Sequence, residues 1–444
     1  MNDGVPRPPS RRLAVVGGGW AGLSAAVTAV ERGQQVTLFE MARQWGGRAR
    51  SQPDSGLDNG QHIVIGAYRE TLALMRRVGA DPDMVLLRRP LALRWADGRG
   101  LELAPGPAAW AFALAVLRCD AWSPAERWRL LARCARWAAA GFRCVPDRSV
   151  DALCAGLPAA VRRLLIDPLC VAALNTPARE ASAAIFLRVL KDGLLGGPGA
   201  SDLLLPRRPL QALLPDPATR WLAARGASLR SGHRVMSIER AGTGWQVDGE
   251  AFDGVIVASP AGEAARLVQA LSPGWSEAAA GLRFEPIVTV YVRAAGTRLP
   301  LPMVALPDDA TAPAQYVFDH GRLGGPDGRL AFVISGAADW VARGLDRTAD
   351  AVLTQGQREL ARWGWPASTA EAEAVIAERR ATFRSTPGLQ RPPALIAPGL
   401  VAAGDYVAGP YPATLEGAVR AGRAAALTCA STMQNSAQPV DRMP

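Results

Sequence analysis

Lysine is all but missing from this chain. Lys191 is the only one, so arginine carries nearly all of the 50 basic residues that, against 40 acidic ones, give a net charge of +10. Two accounts of that excess stand open: a composition biased toward arginine and alanine, or attraction to an acidic surface, anionic lipid above all. Nucleic acid is not implied as a partner, because no zinc-finger spacing and no basic-aromatic array appears. Histidine is scarce, with His62, His233 and His320 only, and no cluster has metal-ligand spacing, so no metal is expected. The six cysteines, Cys119, Cys134, Cys144, Cys154, Cys170 and Cys429, form no CxxC pair and no disulfide-like framework. They read as buried thiols of a cytoplasmic protein. No uninterrupted apolar run reaches the roughly 18 residues of a membrane-spanning helix. The first twelve residues hold proline and arginine without an apolar stretch, which argues against a signal peptide. No Gly-x-Ser-x-Gly elbow is present.

Glycine, by contrast, is placed with purpose. Residues 13–16 are a short apolar run of the kind found in buried parallel strands. Gly17, Gly19 and Gly22 follow, and residues 23–31 read as a helix. In this G-x-G-x-x-G arrangement the first glycine permits the tight turn, the second lets a phosphate approach the backbone, and the third packs helix on strand. The helix start supplies amide donors and a positive dipole end. Residues 36–40 read as the next strand and end on Glu40, placed to accept both ribose hydroxyls of a dinucleotide and to disfavour a 2′-phosphate. Gly46, Gly47 and Arg48 come shortly after, with Arg48 in reach of a pyrophosphate or a flavin. Near the other end, Gly404 and Asp405 leave a strand at residues 400–403, and Asp405 suits a ribityl hydroxyl. Thr414 and Leu415 open a final helix whose dipole would favour negative charge on a reduced flavin. One FAD site built from both ends of the chain is the expectation.

Between these ends the pattern changes. Residues 107–209 are dominated by helical periodicity. Ser123, Pro124 and Glu126 form a helix start with a capping box. The helix that follows is expected to place Trp128, Leu131, Ala135, Ala138 and Phe142 on one face and Arg129, Arg133, Arg136 and Arg143 on another. Two readings remain: a cap helix with a solvated arginine face, or a cationic amphipathic helix lying on a membrane. Trp110, Phe112, Leu114 and Leu117 fit a core, a channel wall or a membrane-facing opening. Residues 227–239 look like paired short strands, 254–258 like a buried strand, and 287–292 and 330–334 like strands of a second sheet. Residues 348–363 look helical. At 444 residues and 49% hydrophobic content there is core enough for this. The expected fold is α/β: a discontinuous FAD-binding Rossmann domain from 1–75, 209–275 and 396–444, and a mixed-sheet substrate domain with a helical cap from 76–208 and 276–395.

The glycine fingerprint, Gly46-Gly-Arg48, Leu57-Asp-Asn-Gly-Gln-His62 and Tyr411-Pro-Ala-Thr-Leu-Glu-Gly-Ala418 together resemble the flavin amine oxidase and phytoene desaturase superfamily. The stretch from Asp167 to Pro177, with Ala181-Ser182 and Leu203-Leu-Leu-Pro206, looks most similar to its hydroxysqualene dehydroxylase branch, the squalene-associated FAD-dependent desaturases. The resemblance covers about residues 12–427. It implies a glutathione-reductase-like FAD domain, adenine contacts through the backbone of Val235, and a loop carrying His62 beside the flavin ring. It implies an oxidoreductase of squalene and hopanoid biosynthesis: a C30 allylic alcohol loses its hydroxyl, and hydride from reduced FAD quenches the allylic cation. Tyr411 and His62 are the candidate acids, and Asn175, with Asp202 and Arg207, is a candidate substrate contact. A carotenoid or squalene desaturase and an amine oxidase share most of these residues and stay open as alternatives. The cysteine that often tethers flavin in amine oxidases has no counterpart in the C-terminal motif, so noncovalent FAD is expected. No second dinucleotide fingerprint appears, so the electron donor either docks without its own Rossmann domain or is another protein. Peripheral contact with the inner face of the membrane is the remaining partner expectation.

Overall fold

The computed structural model describes residues 11–366 and 368–435. The first ten residues, where no signal-peptide pattern was found, lie outside them. A six-stranded sheet has the order Leu395–Ala397, Leu400–Ala402, Gly254–Val257, Arg12–Val16, Gln35–Glu40, Ser228–Ser231. All neighbours are parallel except the edge strand Leu395–Ala397. The central strands are apolar on both faces because both faces are covered. Leu13, Val15, Leu38, Ile256 and Val401 join the core under the helices Trp20–Glu31 and Leu415–Asn435. Ala14, Val16, Phe39, Val255 and Val257 face the other way, toward Trp245, Val247 and the helix Ala261–Val268.

Three distant chain segments therefore share one sheet. The two helices that close it, one from each end of the chain, touch backbone to backbone. A Cβ on Gly422 would stand 2.0 Å from the Ala21 carbonyl oxygen, and Ser24 Oγ donates to the Val419 carbonyl at 2.8 Å. The expected pairing within residues 227–239 does not form. Ser228–Ser231 joins the parallel sheet, whereas Ile238–Ala241 belongs to a separate three-stranded antiparallel sheet. Gly232, at a φ of +70°, turns the chain, and the Asp248 carboxylate holds the Met236 and Ser237 amides at 2.9 Å each. Val235 consequently lies in a loop rather than a strand.

A second sheet orders Met303–Ala305, Tyr316–Asp319, Arg329–Ile334, Phe284–Arg293 and Glu371–Phe383 in antiparallel pairs, with a parallel bridge from Trp95 to Ala305 at its edge. The helices Ala108–Arg118, Pro124–Ala139, Asp167–Leu174 and Ala183–Leu195 form a cap. Ser123 and Glu126 close the expected capping box. The buried face of that helix is not the expected one. Leu130 and Trp137 go inside, into two different apolar clusters, while Trp128, Ala135 and Ala138 face out and Phe142 lies past the helix end. This helix is apolar nearly all round between its arginines, so neighbours decide which stripe is buried. Trp110, Leu114 and Leu117 are likewise exposed, and Phe112 is half-buried.

The Gly422 contact generates a direct expectation. Gly422→Val forces side-chain volume against rigid backbone, which costs about 1–3 kcal/mol. The thermal midpoint of the flavin-loaded protein, followed by circular dichroism, is expected to drop by several degrees. An unchanged midpoint would contradict the close helix crossing.

Candidate cofactor and active site

The glycine loop leaves the sheet at its carboxyl edge, where open α/β sheets bind ligands. Gly17 has a φ of +116°, and a Cβ there would lie 2.6 Å from the Ala258 carbonyl oxygen. A Cβ on Gly22 would lie 1.8 Å from the Gly17 carbonyl oxygen. Gly19 is different: its Cβ would meet only Gly47 Cα, at 3.8 Å, so the loop is open on that side. The second glycine turn is strapped alongside by Gly46 N–H to Gly18 O at 2.9 Å and by Trp20 Nε1 to Ala49 O at 2.9 Å. Helix Trp20–Glu31 begins at Gly19 with no side-chain cap. Its first amides are thus available to a phosphate.

Glu40 is buried at the end of its strand. One carboxylate oxygen accepts from Gly18 N at 2.7 Å and the other from Ala42 N at 2.8 Å. Each oxygen keeps a lone pair for a ribose hydroxyl. His233 N donates to Glu40 O at 2.9 Å, which brings the loop of buried Val235 beside the same carboxylate. The Val235 carbonyl also accepts from Arg266 Nη2 at 2.8 Å. Ser259, just beyond the strand Gly254–Val257, has a buried hydroxyl without a partner next to Gly17. The open glycine face, the uncapped helix start, the carboxylate and the unpaired hydroxyl fit the nucleotide half of FAD.

At the flavin half, Ala403 N donates to Val257 O at 2.9 Å, and the chain then turns out of the sheet through Gly404 and Asp405. A Cβ on Gly404 would strike the Tyr406 ring at 2.5 Å. Arg48 pairs with buried Asp405 and donates to the Ala381 carbonyl at 2.8 Å. Thr414 is occupied as a helix cap: its hydroxyl donates to Tyr411 O and accepts from Gly417 N, each at 2.9 Å. Leu415 packs its side chain on the core. Only the backbone of these two is left to face a cofactor.

The loop carrying His62 is pinned from several sides. Asp58 accepts from Ser51 Oγ at 2.6 Å and Leu210 N at 2.9 Å, and Tyr291 Oη donates to the Asp58 carbonyl at 3.0 Å. Burial raises the Asp58 carboxyl to about 6. Asn59 Nδ2 bridges Arg48 O and Glu378, each at 3.0 Å. Gln61 Oε1 meets His320 Nε2 at 3.1 Å, and burial, reinforced by Arg329, lowers His320 to about 4. His62 places Nδ1 2.7 Å from Gly60 O, which fixes the proton on Nδ1. Burial lowers its pKa. At neutral pH it is an uncharged imidazole and therefore a weak source of protons, contrary to the simplest expectation for an acid. No local pattern in the sequence marks Glu378, Tyr291 or His320, which lie 230 or more positions away from the residues they hold.

Three expected site residues are already engaged by the protein itself. Asn175 is buried with a φ of +46°; its amide nitrogen donates to Glu285 O at 3.1 Å and Thr382 Oγ1 at 2.9 Å, and its oxygen accepts from Gly336 N at 2.7 Å. It ties the cap to the second sheet, with both amide hydrogens engaged and its oxygen already accepting one bond. Asp202 is likewise tied, paired with Arg88 at 3.0 Å. Tyr411 lies between the guanidinium groups of Arg188 and Arg420, 5.5 and 4.6 Å from its ring centre. It lines a cavity of about 290 Å³ with Asp405, Arg391 and Gly417 and makes no contact with His62. Cys429 is buried and directs its thiol at Gly399 O, 3.5 Å away. Burial pushes that thiol up to about 12, so it offers no tether for flavin.

Beyond His62 the loop turns apolar. Leu57, Ile63 and Ile65 cluster with Tyr291, Phe318, Val333 and Ile376 of the second sheet and with Leu91, Leu93 and Trp95. The polar loop thus borders a predominantly apolar core cluster.

Comparison with known proteins agrees with this geometry. Residues 20–429 match the sequence profile of the flavin containing amine oxidoreductases. The chain is 27% identical to the hydroxysqualene dehydroxylase of Sinorhizobium fredii, over 94% of this chain and 97% of that one. It is 28% identical to the hydroxysqualene dehydroxylase of Rhodopseudomonas palustris, over 94% of this chain and 98% of that one. Among solved structures it is similar to an oxidoreductase from Methanosarcina mazei, with a TM-score of 0.69 and 17% identity over 95% of this chain and all of that one.

The geometry at Glu40 sets a test. Glu40→Ala removes two charge-assisted hydrogen bonds that shape the loop as well as the ribose acceptor. At about 1.5–3 kcal/mol for a bond to a charged group, flavin affinity is expected to fall roughly 10- to 100-fold. The ratio of flavin to protein absorbance after gel filtration reads this out. Full flavin occupancy would remove the assignment.

Proposed function

Because the chain belongs to the flavin containing amine oxidoreductase family, whose FAD-dependent oxidoreductase chemistry it shares, we propose that it reductively dehydroxylates an allylic C30 alcohol, hydroxysqualene, to squalene. The observation that carries this reading is the likeness to two hydroxysqualene dehydroxylases over 94% of the chain, and the apolar cluster packed beside the His62 loop supports it. In such a reaction the allylic C–O bond breaks, the hydroxyl leaves as water with an added proton, and a C–H bond forms. FAD, when bound in reduced form, supplies the two-electron hydride chemistry. Arg48, Asp405, Glu40 and the two glycine turns hold it by the arrangement described above. Leu57, Ile63, Ile65, Leu93 and Trp95 exclude water, which would otherwise capture a carbocation.

The proton is the harder requirement. In this proposal His62 takes it at Nε2, since Nδ1 is committed to Gly60 O. A buried imidazole with a lowered pKa is a strong acid once it is charged; burial and Arg48 oppose the charge, while the Gly60 carbonyl and the second sheet's Glu378 favour it. Tyr411, half-exposed between two arginines, is the weaker candidate. The electron donor and any contact with a membrane are separate questions; among the described residues no helix is long and apolar enough to cross a membrane.

Anaerobic incubation of the reduced holoprotein with hydroxysqualene is expected to give squalene by gas chromatography and mass spectrometry. Absence of product, with amine oxidation or substrate desaturation in its place, would overturn the reading. His62 titrates below its ordinary value of 6.5, so its charged fraction grows as pH falls. Turnover is expected to rise from pH 7.5 toward pH 6, and His62→Gln is expected to lose about 10²–10⁴-fold in rate and to flatten that limb. A variant that keeps the acid limb would move the proton source elsewhere.

A further inference from the structure

The cap exposes what a water-soluble surface normally hides. On helix Ala108–Arg118, Trp110 is 78%, Leu114 38% and Leu117 42% exposed. Their spacing of four and then three residues puts them on one stripe. On the next helix, Pro124–Ala139, Trp128 is 66% exposed, and Ala132, Ala135 and Ala139 continue its stripe outward. The apolar faces of these two consecutive helices that do pack inward use other residues, Ala111, Ala115, Val116, Leu130 and Trp137.

The charges beside these stripes are mostly positive. Residues 103–146 contain six arginines and two acids, Asp120 and Glu126. Glu126 is engaged by its cap, accepting Ser123 N at 2.8 Å, with exposed Arg129 nearby. Arg127 and Arg133 are spent on carbonyls, those of Trp122 and Leu153, each at 2.9 Å. Arg118, Arg136 and Arg143 are exposed and form no ion pair among the described residues.

We propose that the helix pair Ala108–Arg118 and Pro124–Ala139 docks the protein on a lipid bilayer rich in anionic headgroups. Tryptophan and leucine enter the headgroup region, and the unpaired arginines meet lipid phosphates. The alternative occupant, a second copy of this chain, is disfavoured by the same charges: a two-fold contact sets each patch against itself and brings together many more arginines than acids. The inference stands independently of the substrate reading above, because it rests on exposed side chains away from the flavin cleft.

The test uses flavin-loaded protein and flotation with two kinds of vesicle, pure phosphatidylcholine and phosphatidylcholine with about a third phosphatidylglycerol. The protein is expected to float with the anionic vesicles, to remain behind with the neutral ones, and to detach in high salt. Trp110→Ser with Trp128→Ser is expected to lower partitioning about tenfold or more, as is Arg118→Gln with Arg136→Gln and Arg143→Gln, the latter with loss of salt sensitivity. Flavin content and thermal midpoint of both variants are expected to match the parent, since none of these side chains is in a core. Equal flotation of parent and variants, or no flotation of the parent with anionic vesicles, overturns the proposal. So does a dimer, seen by sedimentation, that the tryptophan variant dissolves. Flotation together with failure to make squalene would leave the docking face standing and remove the proposed reaction.

Discussion

Everything in this molecule that concerns a cofactor depends on one close approach of backbone to backbone. The helix after the glycine loop and the last helix of the chain cross where glycine leaves no side chain between them, with a would-be Cβ of Gly422 at 2.0 Å from Ala21 O. That crossing, helped by Ser24 Oγ on Val419 O, sets residues 17–22 beside residues 404–417. The N-terminal end offers free amides and the Glu40 carboxylate, and the C-terminal end offers Asp405 and a helix start. Neither half is a site alone. A Cβ on Gly417 would fall 1.9 Å from Tyr411 O, so the turn into the last helix is tied to glycine as well. The Glu416 carboxylate, fully buried, then fastens that helix to the helix Arg69–Arg77 by accepting from Thr71 N at 2.9 Å and Thr71 Oγ1 at 2.8 Å.

This explains which parts were legible from sequence. The first strand, the glycines and the strand ending on Glu40 form one local unit, and local units announce themselves through apolar runs and turn residues. The long strand pair Phe284–Arg293 and Arg329–Ile334 was likewise visible as two apolar runs. What escaped was decided by contacts far along the chain. Val235 reads as strand by composition, but the Asp248 carboxylate and Gly232 draw its neighbours into a loop. Asn175 reads as a free polar group near a family motif, but Glu285, Thr382 and Gly336 engage it. The helix at Pro124–Ala139 has two apolar stripes, and only the position of neighbouring clusters chooses between them.

The His62 loop shows the same economy of long-range ties at a chemical level. Its segment 57–62 has no regular structure, and such a segment beside an apolar cluster would leave polar groups unsatisfied. Each is instead met by a different element: Asp58 by Ser51 and the amide of Leu210, Asn59 by Arg48 O and Glu378, Gln61 by His320. A loop so held cannot slide relative to the cleft. The cost is desolvation, and its sign is read in the titrating groups. Burial lifts Asp58 and depresses His62 and His320, so each moves toward its neutral form. Under the proposed reaction, this keeps the three groups uncharged until a proton arrives.

The near absence of lysine takes on meaning at this point. Arginine is repeatedly used here as a clamp on main-chain carbonyls: Arg48 on Ala381, Arg127 on both Trp122 and Leu117, Arg133 on Leu153 and Ala155, Arg266 on Val235 and Met236, Arg391 on Val407. A forked, planar cation can hold two carbonyls at once in a fixed geometry, which a single ammonium on a flexible stem does less well. Compositional bias toward arginine thus acquires structural employment across the fold. Arginines with neither a carbonyl nor a carboxylate to hold need another explanation. Arg118, Arg136 and Arg143 are of that kind, as are Arg32, Arg76, Arg89, Arg163 and Arg347 elsewhere on the surface; the first three lie in the segment that also exposes Trp110 and Trp128. A bias in composition accounts for their number; what it does not account for is that three of them share a segment with an exposed apolar face.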